Sequence, residues 1–115
     1  MTQNARQNLR VRTSLDCIFG PTTDTPRSGT VTSLSFLGCF IKTKGWATKD
    51  QKIFLRLWLP EERWLRLQGV VIYHLESIGF GLTFTELGEE EESALTLLVS
   101  QAATLKTSAV EEEDL

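Results

Sequence analysis

The chain has 115 residues and a net charge of −3, but the charge is unevenly placed: residues 1–75 carry eleven basic and five acidic side chains (net +6), and residues 76–115 carry one basic and ten acidic (net −9). This length fits one domain around a single core, and an apolar fraction of 41% excludes a generally disordered chain. No apolar run approaches the roughly 20 residues that span a bilayer, so no membrane insertion is expected.

Residues from Met1 to Arg12 are polar and lack the apolar stretch of a secretory leader, which places the chain in a cytoplasm. Val11 to Phe19 reads as a strand. Gly20 to Ser28, bracketing Pro21 and Pro26, reads as a loop. Gly29 to Leu34 is a short Thr/Val strand, and residues 38–43 form another β-type run. Gly45 and Lys49-Asp50 mark a turn.

Ile53 to Leu59 alternates, with Ile53, Leu55, Leu57 and Leu59 on one face and Phe54, Arg56 and Trp58 on the other. Phe54 and Trp58 are candidates to meet a helix or a second subunit. Pro60-Glu61-Glu62 is a turn. Trp64 to His74 alternates again, with Leu65, Leu67, Val71 and Tyr73 on one side and Gly69 marking an expected bulge or bend. Ser77 begins a turn, and Ile78 to Phe84 is the last strand.

The period then changes. From Glu89 to about Lys106, Leu95, Leu98, Val99, Ala102 and Leu105 fall on one helical face. Glu89 to Glu92 occupy the first turn, where the macrodipole favours negative charge, and Lys106 complements the far end. The order predicts a mainly β fold: a six-stranded antiparallel β-barrel with a C-terminal α-helix. Residues 1–8 are expected to form a flexible arm, residues 9–106 the barrel and helix, and residues 107–115 an acidic disordered tail.

No catalytic constellation stands out. His74 is the one histidine, and it has no nucleophile beside it in sequence. Cys17 and Cys39 read as buried reduced thiols, and two cysteines with one histidine are too few for a structural zinc site. The chain has no Gly-rich phosphate loop opening a helix. An enzyme is not expected, nor any catalytic residue, metal site or cofactor.

Two clusters invite ligand chemistry. The first is Arg6-Gln7-Asn8-Leu9-Arg10, with Arg12 close behind. A guanidinium fork donates paired hydrogen bonds to phosphate and stacks on planar bases. Taken alone, the pair also fits a solvated tail. The second is Ser33-Leu34-Ser35-Phe36-Leu37-Gly38, with small hydroxyls and a glycine that admits positive φ or close backbone approach. Taken alone, it also fits an ordinary turn.

In this order and with this strand plan, the sequence resembles the PilZ domain family. The family's motifs are Arg-x-x-x-Arg before the first strand and Asp/Asn-x-Ser-x-x-Gly between the second and third. Arg6 and Arg10 match the first; Ser35 and Gly38 match the second. Leu67-Gln68-Gly69-Val70-Val71 and Ile78-Gly79-Phe80-Gly81-Leu82-Thr83-Phe84 fit the later strands, so the likeness covers about residues 6–105.

The resemblance implies a bacterial cytoplasmic receptor for cyclic di-GMP. Arg6 and Arg10 would take its phosphates and guanines, with Arg12 as an accessory. Ser33, Ser35 and Gly38 would form the opposite wall. It also implies output through an unidentified downstream protein, in motility, exopolysaccharide or virulence control. A monomer or weak dimer is expected, with no DNA or RNA partner.

One position departs from the motif, because Ser33 stands where Asp or Asn is usual. A hydroxyl cannot replace both carboxylate oxygens against the donor edge of guanine. Two other readings stay open: a protein-interaction module whose site no longer binds nucleotide, and a barrel that binds single-stranded nucleic acid through Arg56, Trp58, Arg63, Trp64 and Arg66.

Overall fold

A computed structural model describes residues 9–45 and 47–105. Six strands follow in order: β1 (Val11–Gly20), β2 (Arg27–Leu34), β3 (Gly38–Lys42), β4 (Lys52–Trp58), β5 (Trp64–Leu75) and β6 (Gly79–Thr85). One helix, α1 (Glu89–Leu105), comes after them. The strands close into an antiparallel barrel in the order β1-β2-β3-β6-β5-β4, with β4 pairing back onto β1. Closure leaves no unpaired sheet edge. This is the expected fold class.

Alternation decides which side chains fill the barrel. In β4 and the residue after it, Ile53, Leu55, Leu57 and Leu59 are buried, while Phe54, Arg56 and Trp58 lie half-buried on the outer face. Phe19 from β1 and Phe80 from β6 meet edge to face at 5.3 Å in the interior. Helix α1 packs on β1 and β5, burying Leu95, Leu98 and Val99.

The start of α1 is fixed by its own side chains. The Gly88 N–H donates to Glu91 Oε1 at 2.8 Å, and the Glu92 N–H donates to the Gly88 carbonyl at 2.9 Å. A glutamate three residues into the helix thus satisfies the capping residue's own N–H. Glu89 to Glu92 fill the first turn. No described helix is long and apolar enough to cross a membrane. The 1–8 arm with Arg6, Lys106 and the 107–115 tail lie outside the described residues.

Two local expectations are corrected. The first hairpin is tighter than the loop read from Gly20 to Ser28, because Phe19 pairs with Arg27 and Ile18 with Ser28. In β5 the irregularity is at Ile72, not Gly69. Gly69 pairs in register with Ile53 and with Phe84, whereas Val71 opposes Leu82 and Tyr73 opposes Gly81, leaving Ile72 extra. One extra residue reverses the alternation beyond it. Tyr73, expected on the face of Leu65, Leu67 and Val71, is therefore turned outward and is 43% exposed.

Candidate functional site

The β1–β2 ladder sets the site's geometry. Val11 opposes Leu34 and both are buried, so the next pair, Arg12 and Ser33, faces outward. Arg10, just before β1, reaches the same face, and its Nη1 donates to Ser33 Oγ at 2.9 Å. The second arginine of one motif and the first position of the other are thereby brought into direct contact across 23 residues of chain. Arg12 is exposed beside them.

Ser35 and Gly38 do a different job. Ser35 is 3% exposed, and its Oγ accepts from the Leu37 N–H at 3.1 Å and the Gly38 N–H at 3.2 Å. The Ser35 N–H donates to the Gly38 carbonyl at 2.9 Å, and its hydroxyl reaches the same oxygen at 3.3 Å. The hydroxyl therefore closes the β2–β3 turn on itself, as short hydroxyl side chains do.

Gly38 is required by close approach. A Cβ there would lie 2.0 Å from the Leu82 carbonyl oxygen of β6. The turn is held from the same side by the Phe84 N–H, which donates to the Leu37 carbonyl at 2.8 Å. The Ser-x-x-Gly spacing gives this turn its shape through these hydrogen bonds and the close approach to β6. Ser33 is the member whose hydroxyl lies on the outer face.

Two neighbours escape a reading of sequence spacing. Ser33 opposes Phe40 across β2 and β3, Phe40 opposes Gly81, and Gly81 opposes Tyr73. The absent side chain of Gly81 leaves room for the Tyr73 ring, which would sit 2.6 Å from a Cβ there. Tyr73 can then stack on Phe40 with ring centroids 6.1 Å apart and planes at 28°. The outer wall thus runs from Arg12 through Ser33 to an aromatic pair. The available signal was Gly81 in the middle of a β pattern, but its meaning depends on the bulge at Ile72.

Arg10 and Arg12 give this wall a positive charge that suits an anion, and the two thiols beneath the strands are held in their unreactive form. Burial, reinforced by the Asp16 charge and opposed by a hydrogen bond to the Gly29 backbone, pushes the Cys17 thiol up to about 12. Cys39 is pushed up as well, mainly by burial and then by Cys17, against the opposing charge of Arg10. Both are free thiols in the barrel interior, held far from the thiolate form that reacts. Among the described residues no group of three His, Cys, Asp or Glu side chains could hold a metal ion. Guanidinium groups, a hydroxyl and aromatic faces are suited to bind a planar anion.

Solved structures share this architecture. The inhibitor of motility MotI/DgrA of Bacillus subtilis superposes with a TM-score of 0.71 at 18% identity over 90% of this chain. The chain spans about half of that protein's length, 51%. The PilZ domain of CeSA from a cellulose-synthesizing bacterium gives a TM-score of 0.65 at 18% identity, covering 82% of this chain and 97% of that one. The PilZ domain of YcgR from Escherichia coli, solved with cyclic di-GMP, gives 0.66 at 10% identity, covering 92% and 95%. At these identities the likeness establishes the fold. No curated protein sequence matches the chain. The family model of the PilZ domain matches residues 4–101, a stretch holding both arginines of the first motif, the Ser33–Gly38 turn, all six strands and most of the helix, and the chain belongs to the PilZ domain family.

Proposed function

We propose that this protein is a cyclic di-GMP receptor of the bacterial cytoplasm, without enzymatic activity, that signals through a protein partner. The carrying observation is the 2.9 Å hydrogen bond from Arg10 to Ser33, which joins the two motif segments on one exposed wall. Membership of the PilZ family and the likeness to the YcgR domain solved with this nucleotide support the ligand. Arg6 and Arg10 take the phosphates and a guanine face, with Arg12 beside them; Ser33 supplies a hydroxyl, and the turn held by Ser35 and Gly38 supplies the wall. Binding fixes the 1–8 arm over the nucleotide and changes the surface offered to the partner.

Calorimetry of the wild type and Arg10→Ala tests this. Heat from the wild type at tens of micromolar nucleotide, lost in the variant, is expected. Equal heats, or none from the wild type, would overturn it. One observation favours a second reading, an interaction module that binds no nucleotide: Ser33 is not the usual acid or amide, and its hydroxyl is already engaged by Arg10. That reading requires a partner whose capture is indifferent to cyclic di-GMP.

A further inference from the structure

A groove beside the arginine wall opens toward the helix. About 230 Å³ in volume, it lies between β1 and the last turns of α1 and is lined by Arg12, Leu15, Pro60, Leu98, Gln101 and Ala102 among others. One side is the irregular part of β1, where the register with β2 shifts between Arg12 and Leu15. Leu98 is buried, and Leu15 and Ala102 are half-buried against the core, so the groove is an apolar strip beside an exposed cation. None of the described residues lining it is acidic.

Its position decides which part of the chain reaches it. Helix α1 ends at Leu105. Gln101 and Ala102 come four and three residues earlier, within about 6 Å along the axis at 1.5 Å per residue. Residues 106–115 follow the helix and carry Lys106, then Val110, then Glu111, Glu112, Glu113 and Asp114. Five extended residues span up to roughly 17 Å, enough for the chain to reverse after Leu105 and bring Val110 back over the groove.

Charge selects between the two segments outside the described residues. Residues 1–8 carry Arg6 and no acid, so Arg10 and Arg12 repel them unless an anion lies between. Residues 106–115, with four acids and one base, complement the same pair. The helix adds a direction. Its carbonyl end is the negative pole of the macrodipole, with no basic residue in the last described turn, so it disfavours carboxylates beyond its tip. The guanidinium groups at its side favour them. Arg10 has the donors for this, because Ser33 takes only one of the five N–H groups of its guanidinium among the described residues.

We infer that the acidic segment 106–115 is an internal ligand of the arginine wall. Val110 seats in the groove between β1 and α1, and carboxylates of Glu111, Glu112, Glu113 and Asp114 accept from Arg12 and Arg10. The segment holds the place of the phosphates, and nucleotide must displace it. This regulation of the site rests on the proposed function, whereas the docking itself needs no nucleotide. Exposed ion pairs are individually weak, but a short tether makes the contact intramolecular, at an effective concentration in the millimolar range. A segment in place in half to four-fifths of the molecules lowers the apparent nucleotide affinity about two- to fivefold, because only the open fraction binds.

The test uses the full chain with a nitroxide attached through Leu115→Cys; Cys17 and Cys39 are buried and do not compete for the label. Without nucleotide, broadening of the Arg10, Arg12 and Leu15 amides is expected. It should be lost at high salt, and lost when Glu111→Gln, Glu112→Gln, Glu113→Gln and Asp114→Asn are combined. Calorimetry of unlabelled chains should show cyclic di-GMP binding about two- to fivefold tighter in the neutralised variant at low salt. Val110→Ser, which keeps every charge, should also tighten it. Broadening of equal size with and without the acids would overturn the inference, as would equal affinities in two chains that both bind nucleotide. Broadening of an isotope-labelled chain by a spin-labelled second one would make the occupant another copy and overturn it too. Acid-dependent broadening with no nucleotide heat from either chain would keep the docking and remove the proposed function; nucleotide heat without such broadening would do the reverse.

Discussion

Ser33 accepts a hydrogen bond from Arg10 at 2.9 Å, so the position where the family motif carries Asp or Asn is filled by a neutral acceptor already in contact with the arginine. Ser33→Asp replaces it with a carboxylate whose two oxygens can serve the arginine and a guanine donor edge together. Charge-assisted bonds are worth roughly 1.5–3 kcal/mol against about 1 for a neutral one. Calorimetry should therefore show cyclic di-GMP binding about tenfold tighter in the variant, since 1.4 kcal/mol is about a factor of ten. Unchanged or weaker binding would mean that the Ser33 position does not face the ligand.

The Ser35 hydroxyl accepts two backbone N–H groups within its own turn. Ser35→Ala leaves both without that acceptor, the Gly38 N–H in a buried place, at a cost of about 1–3 kcal/mol. Urea unfolding should show a lower midpoint with an unchanged slope. Nucleotide affinity should fall less than in Arg10→Ala, because the loss acts through the shape of the wall.

Gly38→Ala is the more severe change in the same turn. Its Cβ would lie 2.0 Å from the Leu82 carbonyl, and backbone cannot step aside as a flexible side chain does. The β3–β6 ladder must open locally, costing about 1–3 kcal/mol or more. Thermal unfolding should fall by roughly 4–8 °C for each kcal/mol lost in a domain of this size. The amides of Gly38, Leu82 and Thr83 should shift most.

Much of this fold is legible because its signals are local. Ile53 to Leu59 alternates without interruption, so its buried face follows from period two alone. Glu89 to Val99 announces a helix by period and by its first-turn acids. The β5 strand shows the limit: Gly69 looks like the bulge, but a glycine may equally keep register, and the extra residue is the unremarkable Ile72. From that point every facing in β5 reverses, and Tyr73 with it.

The site follows the same division. Arg10 and Ser33 could be named from spacing, and their contact confirms only that the two segments meet. That Ser35 turns inward depends on the Gly38 carbonyl and on β6 beneath it, contacts that spacing does not encode. The Phe40–Tyr73 pair needs three strands, one bulge and one bare glycine to be in place together.

That pair gives a stability test of the reversed facing. Aromatic pairs contribute about 0.5–1.5 kcal/mol beyond the area they bury. A double-mutant cycle of Phe40→Leu and Tyr73→Leu should return a coupling of that size, because the rings stack on the outer wall. A coupling near zero would place Tyr73 elsewhere and remove the aromatic end of the wall.

The buried thiols make stability depend on alkaline pH, with a defined sign. Burial pushes the Cys17 thiol from its ordinary 9.0 up to about 12 in the folded protein, so above pH 9 the unfolded chain loses the proton that the folded chain keeps. Unfolding then releases a proton, and stability falls as pH rises, by up to about 1.4 kcal/mol per pH unit for this one group. Below pH 9 both states hold the proton and the dependence vanishes. Cys39 is shifted in the same direction and adds to the loss. Urea unfolding at pH 8 and pH 10 should show the drop, and Cys17→Ala should make it shallower. A Cys17→Ala variant with the wild-type slope would show that its thiol ionises as freely in the barrel as in the unfolded chain.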